Sequence, residues 1–556
     1  MKFDLRRHAL LLAGAGWLSL MLAVIAFRPL TPVDETRYAT VAWEMYRSGD
    51  LLSLRLNGAL YGHKPPLLFW LIDVGWKVFG PSVWWPRLLS GLFGLGALAL
   101  LQQLARRLAP GRDDIAAMAL LITASSLYWM VFTGAVMFDL MLAFFVLLGV
   151  LGIARAGAGG GWPAWLTVGA AIGLGILTKG PVALLHILPL ALLAPWWLTG
   201  PPGSGGAPAR GWGPWYRNLG LAVLLGAAIA LAWAVPTALA GGDRFGREIF
   251  WSQSVDRMVN TEHHLRPAWF LLATLPVLLL PWLFFPAVWR GLVALVRQER
   301  TLLVRFALAW TVPVFIGFSL FKGKQIQYLL PLVPGFALLA AGGLAHLPRI
   351  RRVESVVVAV SFAVLGIALL VVAGQPRVAH LVDAADRPLV WLSAAVLLLA
   401  AIVAAAAPLR DRVATVAAIA AGSVAMVLGS YAGVARAIFD GYDVGPVSRH
   451  LAQSQEQGQP IAHFGKYHGQ FQFVGRLQRP LEVVLGPEAL LDWARRHPDG
   501  AVVVYARTPL THASGVPPRF VQKFKGRLVY VWRGADLDGV SPHWYRTPTD
   551  DDGDGS

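Results

Sequence analysis

Apolar runs of about 20 residues recur along the first three quarters of the chain, and that recurrence limits its fold more than any other feature. A segment that leaves water must pair its own backbone N–H and C=O groups, so each run is expected to cross a hydrocarbon core as a helix; the alternation of a membrane barrel is absent. The runs fall at 9–27, 88–105, 115–133, 140–154, 164–180, 182–199, 218–239, 268–289, 303–320, 328–346, 355–373, 389–407 and 413–434. They predict a polytopic α-helical membrane protein with about thirteen crossings. Of 556 residues, 56% are hydrophobic and 14% charged, with a mean hydropathy of +0.57, a balance that a water-soluble fold does not conceal.

The formal charge of +17 does not mark a nucleic-acid-binding protein, because Lys and Arg sit in short clusters between apolar runs rather than on one face. With the amino terminus inside, Arg106, Arg107, Arg112, Arg155, Arg210, Arg217, Arg297, Arg300, Arg349, Arg351, Arg352, Arg410 and Arg412 occupy inward loops, as the positive-inside rule requires. The loops 28–87 and 240–267, and everything after about residue 435, then face outward. Leu177-Thr178-Lys179-Gly180-Pro181 is read as a tight outer turn between two crossings; merging them would invert everything downstream. The first run follows Lys2, Arg6 and Arg7 without a small-residue cleavage site and reads as a retained signal anchor. The chain has no cysteine, hence no disulfide and no thiol chemistry.

Within loop 28–87, residues 38–46 and 67–76 have helical character but are too short to cross, so they are expected along the membrane interface. After residue 435 the composition changes. Strands are expected at 460–464, 470–474, 501–505 and 528–532, with a helix at Pro487–Arg496, forming a small α/β domain. The domains read as 1–435 in the membrane, 436–546 outside it and a disordered acidic tail at 547–556.

The outer loops carry the chemistry. Asp34-Glu35-Thr36-Arg37-Tyr38 follows the first span, and a carboxylate there could act as a base or orient an acceptor; a solvated pair facing Arg37 and Arg47 is the plainer alternative. In Tyr61-Gly62-His63-Lys64-Pro65-Pro66 the prolines stiffen the backbone and hold the ammonium at headgroup depth, suited to a phosphate or to simple anchoring. Asp139 stands at a short outer turn, as a cavity acid or as the N-cap of the next helix. Arg257, Arg266, Lys322, Lys324 and Tyr328 add cations and a phenol at the same face. His263 and His264, with Glu262 or His63, offer donors for zinc or a similar divalent metal, but adjacent positions lack the usual ligand spacing.

Asp34-Glu35-Thr36-Arg37-Tyr38-Ala39, Tyr61-x-x-Lys64-Pro65-Pro66-Leu67 with Trp70, Leu177-Thr178-Lys179-Gly180 and Lys322-x-Lys324-x-x-x-Tyr328-x-Leu330-Pro331 together resemble the lipid A aminoarabinose transferases. These lie within the protein O-mannosyltransferase-like membrane glycosyltransferases that use polyprenyl-linked sugars. The likeness runs through nearly the whole chain. It implies a GT-C type fold with thirteen helices and an outer carboxy-terminal domain. It also implies Asp34 as principal catalytic acid residue with Asp139 as the second and Glu35 beside it; Lys64, Arg257, Tyr328, Arg37 and Lys322 at the donor phosphate; and Tyr38, Tyr61 and Arg266 lining the cavity. His63 stands where relatives can have an acidic residue and Gln253 where they can have Glu, which counts against a transferred metal site.

The reaction so implied is inverting transfer of 4-amino-4-deoxy-L-arabinose from undecaprenyl phosphate to a lipid A phosphate, in the periplasmic leaflet of a bacterial inner membrane, by a monomer with no required cofactor. No nucleotide is involved, and no Rossmann-type fingerprint is present. Replacing lipid A negative charge with an amine would weaken attraction of cationic peptides, giving polymyxin resistance. A related enzyme moving another sugar, such as mannose, shares these motifs. A transporter shares the many crossings, but binds substrate near the membrane midplane, away from this charge cluster.

Overall fold

The computed structural model describes residues 4–199, 211–247, 265–298, 301–374, 387–433 and 439–540. Packing divides the chain into two compact units: Met1–Ala26, Gly62–Leu68 and Arg87–Val434 form the first, and Phe27–Tyr61, Phe69–Pro86 and Ala435–Ser556 the second.

The first unit is helical, and ten helices among the described residues are long and apolar enough to cross a membrane. The protein is therefore a multi-pass membrane protein. Two of the most peripheral helices, Leu5–Phe27 and Arg352–Val371, have only 22% and 33% of their apolar windows buried by protein. Their exposed Leu18, Leu22, Val360 and Val364 need a lipid covering.

Three of the thirteen expected crossings take other forms. The run 115–133 is a bent pair, Asp113–Ala124 and Leu127–Thr133, meeting at 64°. Thr123, Ser125 and Ser126 donate their hydroxyls to the carbonyls four residues back, a pattern that bends helices. The run 182–199 is a short helix, Val182–Leu192, followed by Ala194–Leu198, with Pro189 and Pro195 interrupting the backbone ladder. The run 268–289 is broken into Phe270–Leu278, a 3₁₀ turn at Trp282–Phe284 and Pro286–Gln298, where Pro276, Pro281 and Pro286 each remove an N–H. Apolar length alone could not separate these from straight spans.

Helices in lipid gain little from apolar contact with one another, so close backbone approach matters more. Helices Pro286–Gln298 and Val333–His346 meet at Gly291 and Gly343, where a Cβ on either would lie 2.6 Å from the other's backbone carbonyl carbon.

The second unit is built around a five-stranded sheet. Its strands are β3 (Ile461–Phe464), β4 (Glu482–Val484), β5 (Ala501–Ala506), β6 (Phe520–Phe524) and β7 (Arg527–Arg533), in the order β4-β3-β5-β7-β6. The β3 strand pairs in parallel with β4 and β5, and β7 runs antiparallel to β5 and β6. Alternation sorts the faces. Val502 and Val504 pack with Leu490 and Trp493 of helix Pro487–Arg496, while Ala501 and Val503 pack with Val447 and Leu451 of helix Gly445–Glu456. The helix Pro487–Arg496 has the expected bounds: Pro487 opens it, Glu488 lies in its first turn, and Arg495 and Arg496 close it, each suited to the helix dipole. The expected strand 470–474 is instead a turn of helix, Gln472–Gly475. Its alternating Gln-Phe-Gln-Phe spacing serves different partners: Phe473 stacks on Trp76 at 4.7 Å, and Gln472 turns to Asn57 and Tyr467.

These last contacts show why the loop 28–87, expected to belong with the membrane helices, contributes most of its length to this unit. Helix Asp34–Ser48 and the hairpin β1 (Arg55–Leu56) and β2 (Ala59–Leu60) pack onto the carboxy-terminal residues. The Thr40 hydroxyl donates to Gly469 O at 2.6 Å and Trp43 Nε1 to Leu477 O at 3.2 Å. The hairpin's Asn57 holds the Leu481 backbone by two hydrogen bonds. Inside the sheet, His463 Nε2 lies 3.0 Å from Tyr505 Oη, and burial pushes the imidazole pKa down to about 4.

Two outcomes follow from this packing. Gly343→Leu should destabilise the protein by about 1–3 kcal/mol through overpacking, read as a lower Tm in detergent, whereas Gly317→Ala, with open space around the glycine, should be tolerated. For His463 the neutral form is favoured on folding, so stability should be full above about pH 6.5 and fall as the pH drops towards about 4. A thermal-melt series across that range should lose part of its pH slope in His463→Gln; an unchanged slope would exclude the imidazole as its source.

Candidate functional site

Two helices of equal length, Asp139–Gly157 and Gly161–Lys179, each of 19 residues, are joined by a three-residue turn. Equal rise on an antiparallel pair brings the first residue of one level with the last residue of the other. Asp139 and Lys179 meet there, Nζ to Oδ1 at 2.5 Å, with 1% and 11% of their side chains exposed. Each charge also suits its helix end: the carboxylate lies at an N-terminus and the ammonium at a C-terminus. Asp139 is thus the first helical residue and caps nothing with its side chain. Its Oδ2 is buried with no hydrogen-bond partner among the described residues. Gly180, at φ 79°, lets the chain turn immediately after Lys179 into the short helix Val182–Leu192.

Further side chains gather on this pair within the same unit. The Lys179 ammonium lies 5.1 Å from the centre of the Tyr328 ring, and Lys64 Nζ lies 5.8 Å from that of Phe138, the residue before Asp139. Tyr328 sits in the 3₁₀ turn Ile326–Leu332 and packs against Phe318. Two lysines, one buried carboxylate and a phenol thus make a net-positive cluster. Nearby in sequence, Lys322 is exposed, whereas Lys324 is buried and donates to Arg266 O at 2.8 Å. That bond, with the bridge Leu265–Gly323, ties Arg266 beside Lys322; the exposed Arg266 guanidinium lies over Phe270.

The acidic pair belongs to the second unit, in the first turn of helix Asp34–Ser48, and its two carboxylates are used differently. Glu35 is 3% exposed and held end-on by Arg28, with Nη2 to Oε2 at 2.7 Å and Nη1 to Oε1 at 3.2 Å, while Thr31 N adds a third bond at 2.9 Å. A carboxylate so occupied pins the start of its helix and is poorly placed to accept a proton. Asp34 has only Arg37 Nη1, at 3.9 Å, beyond hydrogen-bond range, and no hydrogen bond reaches it from the described residues. Tyr38 and Tyr61 flank Phe69 edge-on, both nearly fully buried.

Of the expected metal donors, His63 is exposed, and His263 and His264 lie outside the described residues, as does Arg257. No group of three His, Asp or Glu side chains suited to a metal occurs among the described residues. Lys179 entered the sequence reading as a topology marker and within a motif of the family resemblance, without a site role of its own. The signal was present in the equal spans either side of the 158–160 turn, which put an acid and a base at the same depth.

A family model described as dolichyl-phosphate-mannose-protein mannosyltransferase matches residues 63–204, the stretch that holds Lys64, Asp139 and Lys179. An undecaprenyl phosphate-alpha-4-amino-4-deoxy-L-arabinose arabinosyl transferase of Edwardsiella ictaluri is 30% identical over 344 residues, and one of Pseudomonas aeruginosa is 31% identical over 347. These matches cover 59% and 61% of this chain, and the chain spans 59% and 60% of the relatives' lengths. The crystal structure of ArnT from Cupriavidus metallidurans bound to undecaprenyl phosphate superposes with a TM-score of 0.71 at 21% identity, covering 94% of this chain and 97% of that one. Its apo form gives 0.66 at 20% identity. The chain therefore has that fold: a polytopic helical membrane protein with a small carboxy-terminal α/β region.

Removing one member of the buried pair leaves the other charge uncompensated. Lys179→Met should destabilise the protein by about 3–5 kcal/mol, and adding Asp139→Asn should restore much of the loss. Thermal unfolding of both variants in the same detergent checks this; a double variant no more stable than Lys179→Met would rule out direct pairing as the cause.

Proposed function

We propose that this chain is an inverting glycosyltransferase that moves 4-amino-4-deoxy-L-arabinose from undecaprenyl phosphate to a lipid A phosphate at the periplasmic face of a bacterial inner membrane, as a monomer. The observation that carries this reading is the gathering of Lys64, Lys179, Asp139 and Tyr328 at helix ends of a membrane-spanning unit. The names of the arabinosyl transferase relatives, and the undecaprenyl phosphate bound by a protein of the same fold, supply the substrate.

In this reading an acceptor phosphate oxygen attacks the anomeric carbon, the carbon–oxygen bond to the carrier breaks, and undecaprenyl phosphate leaves with the bonding electron pair. The acceptor is already largely ionised, its second pKa being about 6, so no strong base is required. Negative charge grows on the departing phosphate, where Lys64 holds it more tightly than in the ground state; Lys179, partly neutralised by Asp139, fixes the position of Tyr328 and the local field. Asp34, the acid with the looser pairing, is assigned to the sugar or the acceptor, and Glu35 to holding its helix. Arg37, Lys322 and Arg257 are proposed as further donor-phosphate contacts. No step is routed through a metal.

A second reading, transfer of a different polyprenyl-linked sugar such as mannose, is favoured by the description of the family model over 63–204. Mass spectrometry of lipid A from cells lacking their own transferase and expressing this chain separates the two. Aminoarabinose-modified lipid A is expected. Lys64→Gln should reduce the product by about 10²–10³-fold, and Asp34→Asn by about 10²-fold with carrier binding retained. Unmodified lipid A from well-expressed, folded protein, with a hexose transferred in vitro instead, would replace the first reading with the second.

A further inference from the structure

The second unit carries a cleft of about 220 Å³, lined by Arg47, Arg55 and Arg479 together with Glu44, Trp43 and Gln478. Its cations are organised unlike ordinary surface arginines. Each guanidinium is anchored through one N–H to a backbone carbonyl: Arg47 Nη1 to Gln478 O at 2.6 Å, Arg55 Nη1 to Gly58 O at 3.1 Å and Arg479 Nη2 to Gln455 O at 3.0 Å. None of the three forms an ion pair with a carboxylate among the described residues, although arginines elsewhere in the chain do so repeatedly. The one acid in the cleft, Glu44, is committed to the backbone: Oε1 accepts from Asn57 N at 2.6 Å and Oε2 from Gly58 N at 3.0 Å. Burial raises its carboxyl, against the two backbone bonds and the more distant charges of Arg55 and Arg47.

Carbonyl anchoring removes much of the rotamer entropy that a mobile arginine loses on binding, and leaves the remaining N–H groups as preorganised donors. Three such forks around one opening match the oxygens of a phosphate better than a single-charged carboxylate, since phosphate offers more acceptors and more charge. We propose that this cleft is an accessory anion site that binds a phosphate group, and, resting on the reading of lipid A as acceptor, that it holds a phosphate of the incoming glycolipid. Glu44 sets the hairpin in place, and the hairpin in turn presents Arg55.

The test uses full-length protein in detergent with two probes, labelled lipid A and inorganic pyrophosphate, and the triple variant Arg47→Gln/Arg55→Gln/Arg479→Gln. Lipid A affinity is expected to fall by about tenfold or more in the triple variant, to weaken with added salt and to be recovered only in part in the triple lysine variant, which restores charge without the forks, while undecaprenyl phosphate binding and Tm stay unchanged. Loss of pyrophosphate binding alone would keep the anion site and assign it to a free phosphate compound rather than a lipid. Unchanged binding of both probes in the folded triple variant would overturn the site. Because binding is read rather than transfer, a chain that fails to modify lipid A in cells but loses pyrophosphate binding here would refute the proposed reaction without refuting the cleft.

Discussion

A backbone inside a bilayer has no water to complete its hydrogen bonds, and this one constraint arranges the rest of the molecule. It turns the apolar runs into helices and leaves charged chemistry only where helices end. Asp139 and Lys179 show the result: both are nearly buried, both lie at helix termini, and each meets the other and the end of a helix dipole of opposite sign. Where the helices break, at Thr123 to Ser126 or at Pro276, Pro281 and Pro286, partners appear within the protein. Leu127 N, at the bend of the first pair, donates to Leu280 O at the break of the second. One irregular segment thus satisfies another.

The second unit answers a different problem. Its sheet has apolar residues on both faces, and two helices of its own, Gly445–Glu456 and Pro487–Arg496, cover them. The amino-terminal loop adds a polar joint, in which Asn57 links Glu44, Gln472 and the Leu481 backbone, and Tyr467 completes the chain of donors through Gln472. A buried network of this kind is favourable only when all members are satisfied, so it specifies one register between segments more than 400 residues apart in sequence. The same joint holds both Glu44 oxygens on the backbone of the hairpin, so Glu44 forms no close ion pair with the arginines of the neighbouring cleft among the described residues.

The candidate residues could be named before folding. The acidic pair, Lys64 before two prolines, Asp139 and Tyr328 all stand out because polar groups beside apolar runs are few. Their division of labour was not readable. Asp34 and Glu35 are neighbours of the same chemistry, yet a 100° step around a helix delivers one to Arg28 and leaves the other 3.9 Å from Arg37. Lys322 and Lys324 likewise separate, one exposed and the other donating to Arg266 O. Nor does hydropathy tell a bent or proline-broken run from a straight crossing, because it counts apolar residues and ignores where backbone donors are missing.

What the residues alone determined is the solvent this protein lives in and the number and approximate limits of its apolar segments, since both follow from transfer energies summed over local stretches. Which cations meet which carboxylates was decided only by tertiary structure. That choice depends on distances of a few ångströms between segments remote in sequence, where Coulomb and hydrogen-bond energies fall off steeply and a shift of one residue exchanges a paired charge for an open one.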